Sequence, residues 1–499
     1  MSAEIDPPAA QPDRAPLRVA VIGGGISGLA AAHRLLEQSS TAEVTVYEAA
    51  ERVGGVFGTE QIGEYLIETG ADSFITNKPH ALDLCRRLGL EDRLIPTDST
   101  YRRSLILHNG EPVPTPDGFN LMVPARIGPM LTTPLLSPLG KLRLGLEYFL
   151  PRRTDNGDES LASFVRRRLG QQTFERIVQP MVGGIYTSDP EKLSLAATLP
   201  RFLDMERDHG SLIRAALRQR RVGRKASGEE SAASGARYGL FASLKGGMSE
   251  LLEALSRRLE AKNALRLGCP VVAIEPAHEA DRTHYEVRLA DGTSILSDAV
   301  ILALPAYRAA DLIDGWNREL AETLREIEYA SSAIVISGHR LEDIRHPLDA
   351  FGLVIPHIEQ RQILAVSFLS RKFPGRAPDG RVVLRTFVGG ALQPELLEQP
   401  DDDLIGMVQG ELRDILGVEG KPDFVRVARW HRKMPQYHVG HLERVQQIES
   451  LTRRSPGLFV AGNAYHGVGI PDCIRSGEQA AERVHETFVA AGSPARAET

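Results

Sequence analysis

The chain has 499 residues, with 59 Lys and Arg against 65 Asp and Glu, a formal charge of −6. That length holds about three domains and buries enough surface to need no disulfide or metal staple. The acidic balance argues against a generic nucleic-acid binder, and three scattered cysteines with no CxxC (Cys85, Cys269, Cys473) exclude a disulfide scaffold, a zinc ribbon and a cysteine-ligated cluster.

Residues 1–16 are rich in Pro, Ala and Asp and read as a disordered tail, without the pattern of a secretory signal. No uncharged apolar run approaches the roughly 18 residues that span a bilayer. Leu17–Ile22 reads as a buried strand, Leu29–Leu36 as a helix and Val44–Glu48 as a second strand, the opening of a parallel α/β unit. Between strand and helix, Gly23, Gly24, Gly25, Ile26, Ser27 and Gly28 spell GGGISG, a GxGxxG on Gly23, Gly25 and Gly28. The first glycine permits a tight turn, the second admits a diphosphate, and the third lets helix and strand pack closely, while the helix N-terminus offers N–H donors. Glu48 ends the next strand 20 residues beyond Gly28, where a carboxylate accepts hydrogen bonds from ribose hydroxyls. Alone, the glycines are a flexible loop; in this setting they read as a dinucleotide site. Glu51–Thr59 (ERVGGVFGT) adds a second glycine pair beside Arg52, suited to a diphosphate or, more plainly, to a turn between strands.

Phe119–Arg153 carries five basic residues and one acidic residue among many Leu and Pro. Helical patterns run from Ser160 to about Arg221, and Arg221–Arg237 reads as a mobile surface loop. Asp291-Gly292 marks a hairpin between YEVRLA and TSILSDAVILALP. Strand patterns at Ala333–Ser337, Ile363–Phe368 and Val382–Val388 indicate a second, mostly antiparallel sheet. Leu458–Ala461, GNAYHGVGIPDC and Ile474–Ala491 return to strand, glycine turn and helix, with Asp472 read as a helix N-cap. His431, His438 and His441 in WHRKMPQYHVGH have no acidic or cysteine ligand at local spacing, so no metal is read there.

With GxGxxG, the acidic strand end and the R-x-G-G of Arg52–Gly55, the chain resembles the flavin-containing amine oxidase superfamily and, within it, the oxygen-dependent porphyrinogen oxidases. The resemblance runs from about Leu17 to Val489. It is carried by Gly70-Ala71-Asp72-Ser73-Phe74, PMVGGIYTSDP (Pro180–Pro190) with Lys192-Leu193-Ser194, MPQYHVGH and GVGIPDCI. Val56 departs from the superfamily's R-x-G-G-R.

The resemblance implies an α/β fold with a discontinuous Rossmann-like FAD-binding domain (17–90, 236–310 and 425–499). It adds a mixed or antiparallel-sheet substrate domain (91–118 and 311–424) and a helical, membrane-facing domain (119–235). It implies non-covalent FAD held by Gly23–Gly28, Glu48, Arg52, Gly55, Gly70, Ala71, Asp72, Ser73, Val271, Val468, Gly469 and Ile470. The implied activity is oxidation of a porphyrinogen to a porphyrin by dioxygen in haem biosynthesis, releasing hydrogen peroxide. Flavin N5 accepts the hydride, and no side chain is singled out as catalytic. Pro471-Asp472 and MPQYHVGH favour coproporphyrinogen III; the alternatives are protoporphyrinogen IX and, more distantly, an amine oxidase, a desaturase or a non-catalytic escort protein. Lys78, Arg103 and Arg207 are candidate propionate anchors, each also readable as a plain surface charge. Phe119–Arg153 reads as a surface meeting anionic lipid through Lys141 and Arg143, or as a helical unit packed on its neighbours or forming a homodimer face. The expected location is cytoplasmic, peripheral on the inner face of the membrane in the first case.

Overall fold

A computed structural model describes residues 16–124, 126–155, 157–218, 240–279 and 282–488. Residues 1–15 of the expected tail and the whole 221–237 loop lie outside the described residues.

The nucleotide-binding layer is a five-stranded parallel sheet in the order Leu265–Arg266, Glu43–Tyr47, Arg18–Ile22, Ala299–Leu302 and Leu458–Val460. Along Arg18–Ile22 the side chains alternate between two cores, Val19 and Val21 entering one and Ala20 and Ile22 the other. A strand covered on both faces explains the unbroken apolar run of its sequence. One face is covered by helices Ile26–Gln38, Ser249–Glu260 and Ile470–Phe488. A Cβ on Gly477 would stand 2.1 Å from the Ser27 carbonyl oxygen, so the first and last of these helices meet backbone to backbone beside the glycine turn. The other face carries helices Ala306–Ile313, Arg318–Arg325 and His441–Arg453.

The run TSILSDAVILALP is not one strand. Ser294–Ser297 closes an antiparallel hairpin on Arg282–Leu289, and Ala299–Leu302 joins the parallel sheet. Asp298 divides them and accepts from the Arg18 N–H at 2.7 Å, fastening the break to the first strand.

The second sheet has seven strands: Phe424–Pro435, Tyr329–Arg340, Arg381–Gly389, Ala365–Phe368, Gly352–Val354, Ser104–His108 and Glu111–Pro114. Every pairing is antiparallel except Gly352–Val354 with Ser104–His108. This corrects the expected start of the last FAD-binding piece at residue 425. Phe424–Pro435 belongs to the second sheet, paired with Tyr329–Arg340, because its VRVARW alternation fits a sheet edge.

Phe119–Arg153 opens as a short hairpin, Phe119–Asn120 on Val123–Pro124, before helices Ile127–Thr132 and Pro138–Gly145. These pack with Leu161–Leu169, Gln179–Tyr186 and Pro200–His209 around a separate core. Arg168 and Glu147, neither with any exposed side-chain surface, form an ion pair inside it, and the Glu147 carboxylate also accepts from Ser211 Oγ and the Leu212 and Ile213 N–H groups. Leu139 (77 % exposed) and Phe149 (74 %) lie on the outer surface with Leu131, Leu142 and Leu146. Lys141 donates to the Leu131 carbonyl, but Arg143 is not a free surface charge. Its guanidinium donates to the carbonyls of Arg166, Arg167 and Arg168, closing the C-terminus of the neighbouring helix.

Candidate active site

The chain leaves strand Arg18–Ile22 through Gly23, whose φ is +109° and where a Cβ would stand 2.5 Å from the Ala303 carbonyl oxygen, leaving no place for a side chain. A Cβ on Gly28 would lie 2.0 Å from the Gly23 carbonyl oxygen, so the third glycine is fixed by contact between helix and turn. Gly25 differs: nothing stands within 4 Å of where its Cβ would be. Helix Ile26–Gln38 starts there without a side-chain cap, so its first N–H groups look out over that open ground. A carboxylate or phosphate oxygen is the natural partner for such a helix end.

The second glycine pair leans on the first. Gly54 N–H donates to the Gly24 carbonyl at 2.8 Å, and Gly55 faces the Gly25 Cα. Arg52 holds this loop rather than reaching out of it, donating to the carbonyls of Val53, Phe57 and Gly55. Glu48 Oε2 accepts from Gly24 N–H at 2.6 Å, and Oε1 from Ala50 N–H at 2.9 Å. Its backbone continues into the chain leading to Val271, through Glu48 N–H to the Arg266 carbonyl and Cys269 N–H to the Glu48 carbonyl. Gly23–Gly28, Glu48, Gly55 and the approach to Val271 are thus brought side by side.

The Gly70–Ser73 loop is tied to the second sheet. A Cβ on Gly70 would meet the Val56 carbonyl oxygen at 1.7 Å. The Asp72 carboxylate takes Lys372 Nζ at 3.0 Å, Arg385 at 2.9 Å and Ser73 Oγ at 2.7 Å. Burial would raise the Asp72 carboxyl, but those two cations and the hydroxyl hold it well below the usual range. Arg385, almost fully buried, also donates to the Gly70 carbonyl. Nearby, buried Glu68 accepts from Met248 N–H and the Thr59 hydroxyl, both at 2.8 Å. Burial pushes its carboxyl up to about 7 against those two bonds.

MPQYHVGH holds the C-terminal glycine loop. The Tyr437 hydroxyl donates to the Asn463 carbonyl at 2.6 Å and accepts from Gly467 N–H at 2.8 Å. His441 stacks on the Tyr437 ring at 3.9 Å and meets the Tyr465 carbonyl through Nε2 at 3.0 Å. Since a carbonyl only accepts, Nε2 carries the proton, and burial pushes the ring down to about 4, keeping it neutral. His438 faces Glu328 and His431 is exposed, so the three histidines point to different partners.

Gly467, at φ +142°, packs against Asp472 ahead of helix Ile470–Phe488. Asp472 is not the N-cap; it lies inside the first turn and binds Lys78 Nζ at 2.6 Å and Arg475 at 3.2 Å. Lys78 therefore joins the Val468–Ile470 loop, already holding a carboxylate. The structure does not bring the other two anchors to the cleft. Arg103 pairs with Asp349 at the start of strand Ser104–His108, and Arg207 lies between Asp204 and Asp208 on an exposed helix. Arg103 looks free in sequence because its acid lies 246 positions away, whereas the acids of Arg207 are its immediate neighbours on the same helix. A cavity of about 410 Å³ opens beside Asp189, Lys192, Tyr329, Gly390, Gln436 and His438; Glu328 and Glu398 also line it, which suits it poorly to an anionic ligand. Lys372 and Arg385 escape the sequence reading, although a lone arginine inside VVLRTFV is a signal of a paired, buried charge.

Residues 26–485 match the family described as flavin containing amine oxidoreductase. A protein from Bacillus subtilis (strain 168) named coproporphyrinogen III oxidase is 34% identical over 467 residues, 93% of this chain and 96% of that one. One of the same name from Propionibacterium freudenreichii subsp. freudenreichii is 35% identical over 502 residues, 96% and 93% of the two chains. A crystal structure from Exiguobacterium sp. 255-15, provisionally assigned as a protoporphyrinogen oxidase, superposes with a TM-score of 0.80 at 29% identity, covering 94% of this chain and 98% of that one.

Proposed function

The chain belongs to the flavin-containing amine oxidoreductase family, and from that premise we propose that it oxidises coproporphyrinogen III to coproporphyrin III with dioxygen, releasing hydrogen peroxide. It is an FAD-dependent oxidoreductase, and its glycine cleft suits FAD: open ground over Gly25, a helix end facing it, and Glu48 at the end of the neighbouring strand. The observation that carries the substrate is the naming of two relatives, each matched along more than nine-tenths of both chains. Protoporphyrinogen IX is the second reading, supported by the Exiguobacterium structure.

Bound FAD supplies a two-electron acceptor that dioxygen regenerates, so three rounds convert a porphyrinogen to a porphyrin. The protein's own residues do the holding. Gly23–Gly28 and Gly55 would receive the diphosphate and Glu48 the ribose, with Gly70–Ser73 and Val468–Ile470 on the side of the redox-active ring. Asp72, clamped by Lys372 and Arg385, fixes the ring-side loop to the sheet on which substrate is oriented. Lys78 is the anchor best placed for a propionate, exchanging its bond to Asp472 for one to substrate.

The outer apolar surface of Leu139, Leu142, Leu146 and Phe149, with Lys141 beside it, is proposed to rest on an anionic membrane surface. No helix among the described residues is long and apolar enough to cross a membrane.

Anaerobic mixing tests the reaction. Coproporphyrinogen III should bleach the flavin band, and oxygen should restore it with porphyrin fluorescence, at a higher kcat/KM than for protoporphyrinogen IX. A flavin left oxidised by both porphyrinogens would end this reading; a preference for protoporphyrinogen IX would exchange the substrate.

A further inference from the structure

Two guanidinium groups share one aromatic ring at the rim of the dinucleotide cleft. Arg432 stands 3.9 Å from the Tyr307 ring centroid and Arg308 5.6 Å from it. Among the described residues neither pairs with a carboxylate, and neither does the adjacent Lys433. Arg325, by contrast, is held by Asp311 and Asp314. With Glu48 acting on Lys433 only at longer range, the three neighbouring cations still repel one another unless an anion joins them.

The fold aims them at the cleft. The order of the parallel sheet reverses between Arg18–Ile22 and Ala299–Leu302, and in such sheets ligands bind outside the carboxyl ends of the strands at that reversal. The Gly23–Gly28 turn forms one bank. The other is the first turn of helix Ala306–Ile313, which carries Tyr307 and Arg308. Arg432 and Lys433 arrive from the second sheet by a bulge: Trp430 pairs with Ser332 and Met434 with Ala330, so His431–Lys433 stand opposite Ser331 alone. Arg432 sits at φ +49° and donates its N–H to Ser331 Oγ at 2.9 Å. A left-handed arginine in a bulge is a strained arrangement, of a kind that gathers where side chains are re-aimed at ligands. Lys433 is anchored by Asn463, whose amide donates to its carbonyl beside the C-terminal glycine loop. Burial lowers the Lys433 ammonium and Arg308 pushes the same way, while Glu48 opposes them, so the cluster and the end of the second strand act on each other.

The glycine loops bring no such cation to the diphosphate of FAD. Arg52 has turned its terminal nitrogens back onto its own loop, Val56 carries no charge, and Glu48 sets a negative charge against Gly24. We propose that Arg308, Arg432 and Lys433 form a cationic clamp for phosphoryl oxygens of the bound dinucleotide, closing the cleft opposite the N-terminus of helix Ile26–Gln38. This rests on the cofactor reading above and assigns residues that the glycine motif does not include.

The test is release of FAD from the purified holoenzyme, diluted into flavin-free buffer without substrate and followed by free-flavin fluorescence. Arg308→Gln with Lys433→Gln should release FAD at least tenfold faster than wild type, and Lys433→Arg alone should stay close to wild type. Rising sodium chloride should speed release from the wild type and do so less in the double variant, because the screened charges are gone. A double variant that keeps the wild-type rate and salt dependence overturns the clamp. So does an unchanged release rate with a raised KM for coproporphyrinogen III, which would assign the cations to substrate carboxylates. A wild type that purifies without flavin overturns the cofactor reading itself and the clamp with it.

Discussion

Gly467 N–H donates to the Tyr437 hydroxyl, which in turn donates to the Asn463 carbonyl. One buried phenol thus spans both ends of the turn that leads into the last helix. The motif that looked like a histidine cluster is a scaffold for a glycine loop. Tyr437→Phe removes only the oxygen and leaves a carbonyl and an N–H unpaired, a cost of about 1–3 kcal/mol. The expected result is a Tm lowered by a few degrees with FAD still bound at saturating concentration. A Tm within one degree of wild type would show that the loop is held by other contacts.

The glycines of the turn should separate by function. A Cβ at position 25 meets no protein atom within 4 Å, so Gly25→Val should fold with wild-type circular dichroism yet purify colourless, since its side chain fills the ground reserved for the diphosphate. Gly28→Ala puts its methyl group into the Gly23 carbonyl and should lower soluble yield and Tm. A yellow Gly25→Val protein would move the diphosphate elsewhere.

Acid precipitation of the wild type should release all colour to the supernatant. Cys473, near the glycine loop, has its thiol pushed up to about 12 by burial, with the Asp472 charge adding to the effect, so it is no nucleophile for a flavin bond. Colour retained in the pellet would establish a covalent link.

Glu68 gives stability a pH dependence of known sign. Its carboxyl is raised to about 7 in the folded state, so the fold keeps a proton that the unfolded chain gives up above its ordinary value of 4.5. Stability therefore falls as pH rises from about 5 to about 7, by on the order of 3 kcal/mol. In Glu68→Gln that descent should vanish, so the Tm of the variant minus that of wild type should grow between pH 5 and 8. A constant difference would show that Glu68 does not titrate there.

The outer apolar surface makes a prediction that composition alone would have aimed wrongly. Leu139→Ser with Phe149→Ser should reduce sedimentation with anionic vesicles several-fold, and Lys141→Glu should reduce it further at low salt. Arg143→Glu should instead lower Tm, because Arg143 closes a helix end. Vesicle binding equal to wild type in the apolar double variant would leave this face to protein packing.

What the sequence reveals follows the distance over which each contact is made. Gly24 with Glu48, and Gly54 with Gly24, lie within one strand–helix–strand unit, so spacing alone exposes them. Asp72 with Lys372, Asp72 with Arg385 and Lys78 with Asp472 join residues some 300 to 400 positions apart, and no local pattern marks such partners. The same blindness makes Arg103 look free when Asp349 holds it. Phe424–Pro435 is misassigned for a related reason: its alternation identifies a strand, but only its register with Tyr329–Arg340 tells which sheet receives it.

The close fit of Gly477 against Ser27 has a consequence for synthesis. On the ribosome the glycine turn emerges long before strand Leu458–Val460 and helix Ile470–Phe488. Until then part of the opening helix's apolar side is uncovered and the edge of its sheet unfinished, the kind of exposed surface that favours aggregation. The face beside the glycine turn is therefore completed only when helix Ile470–Phe488 arrives to close on Ser27.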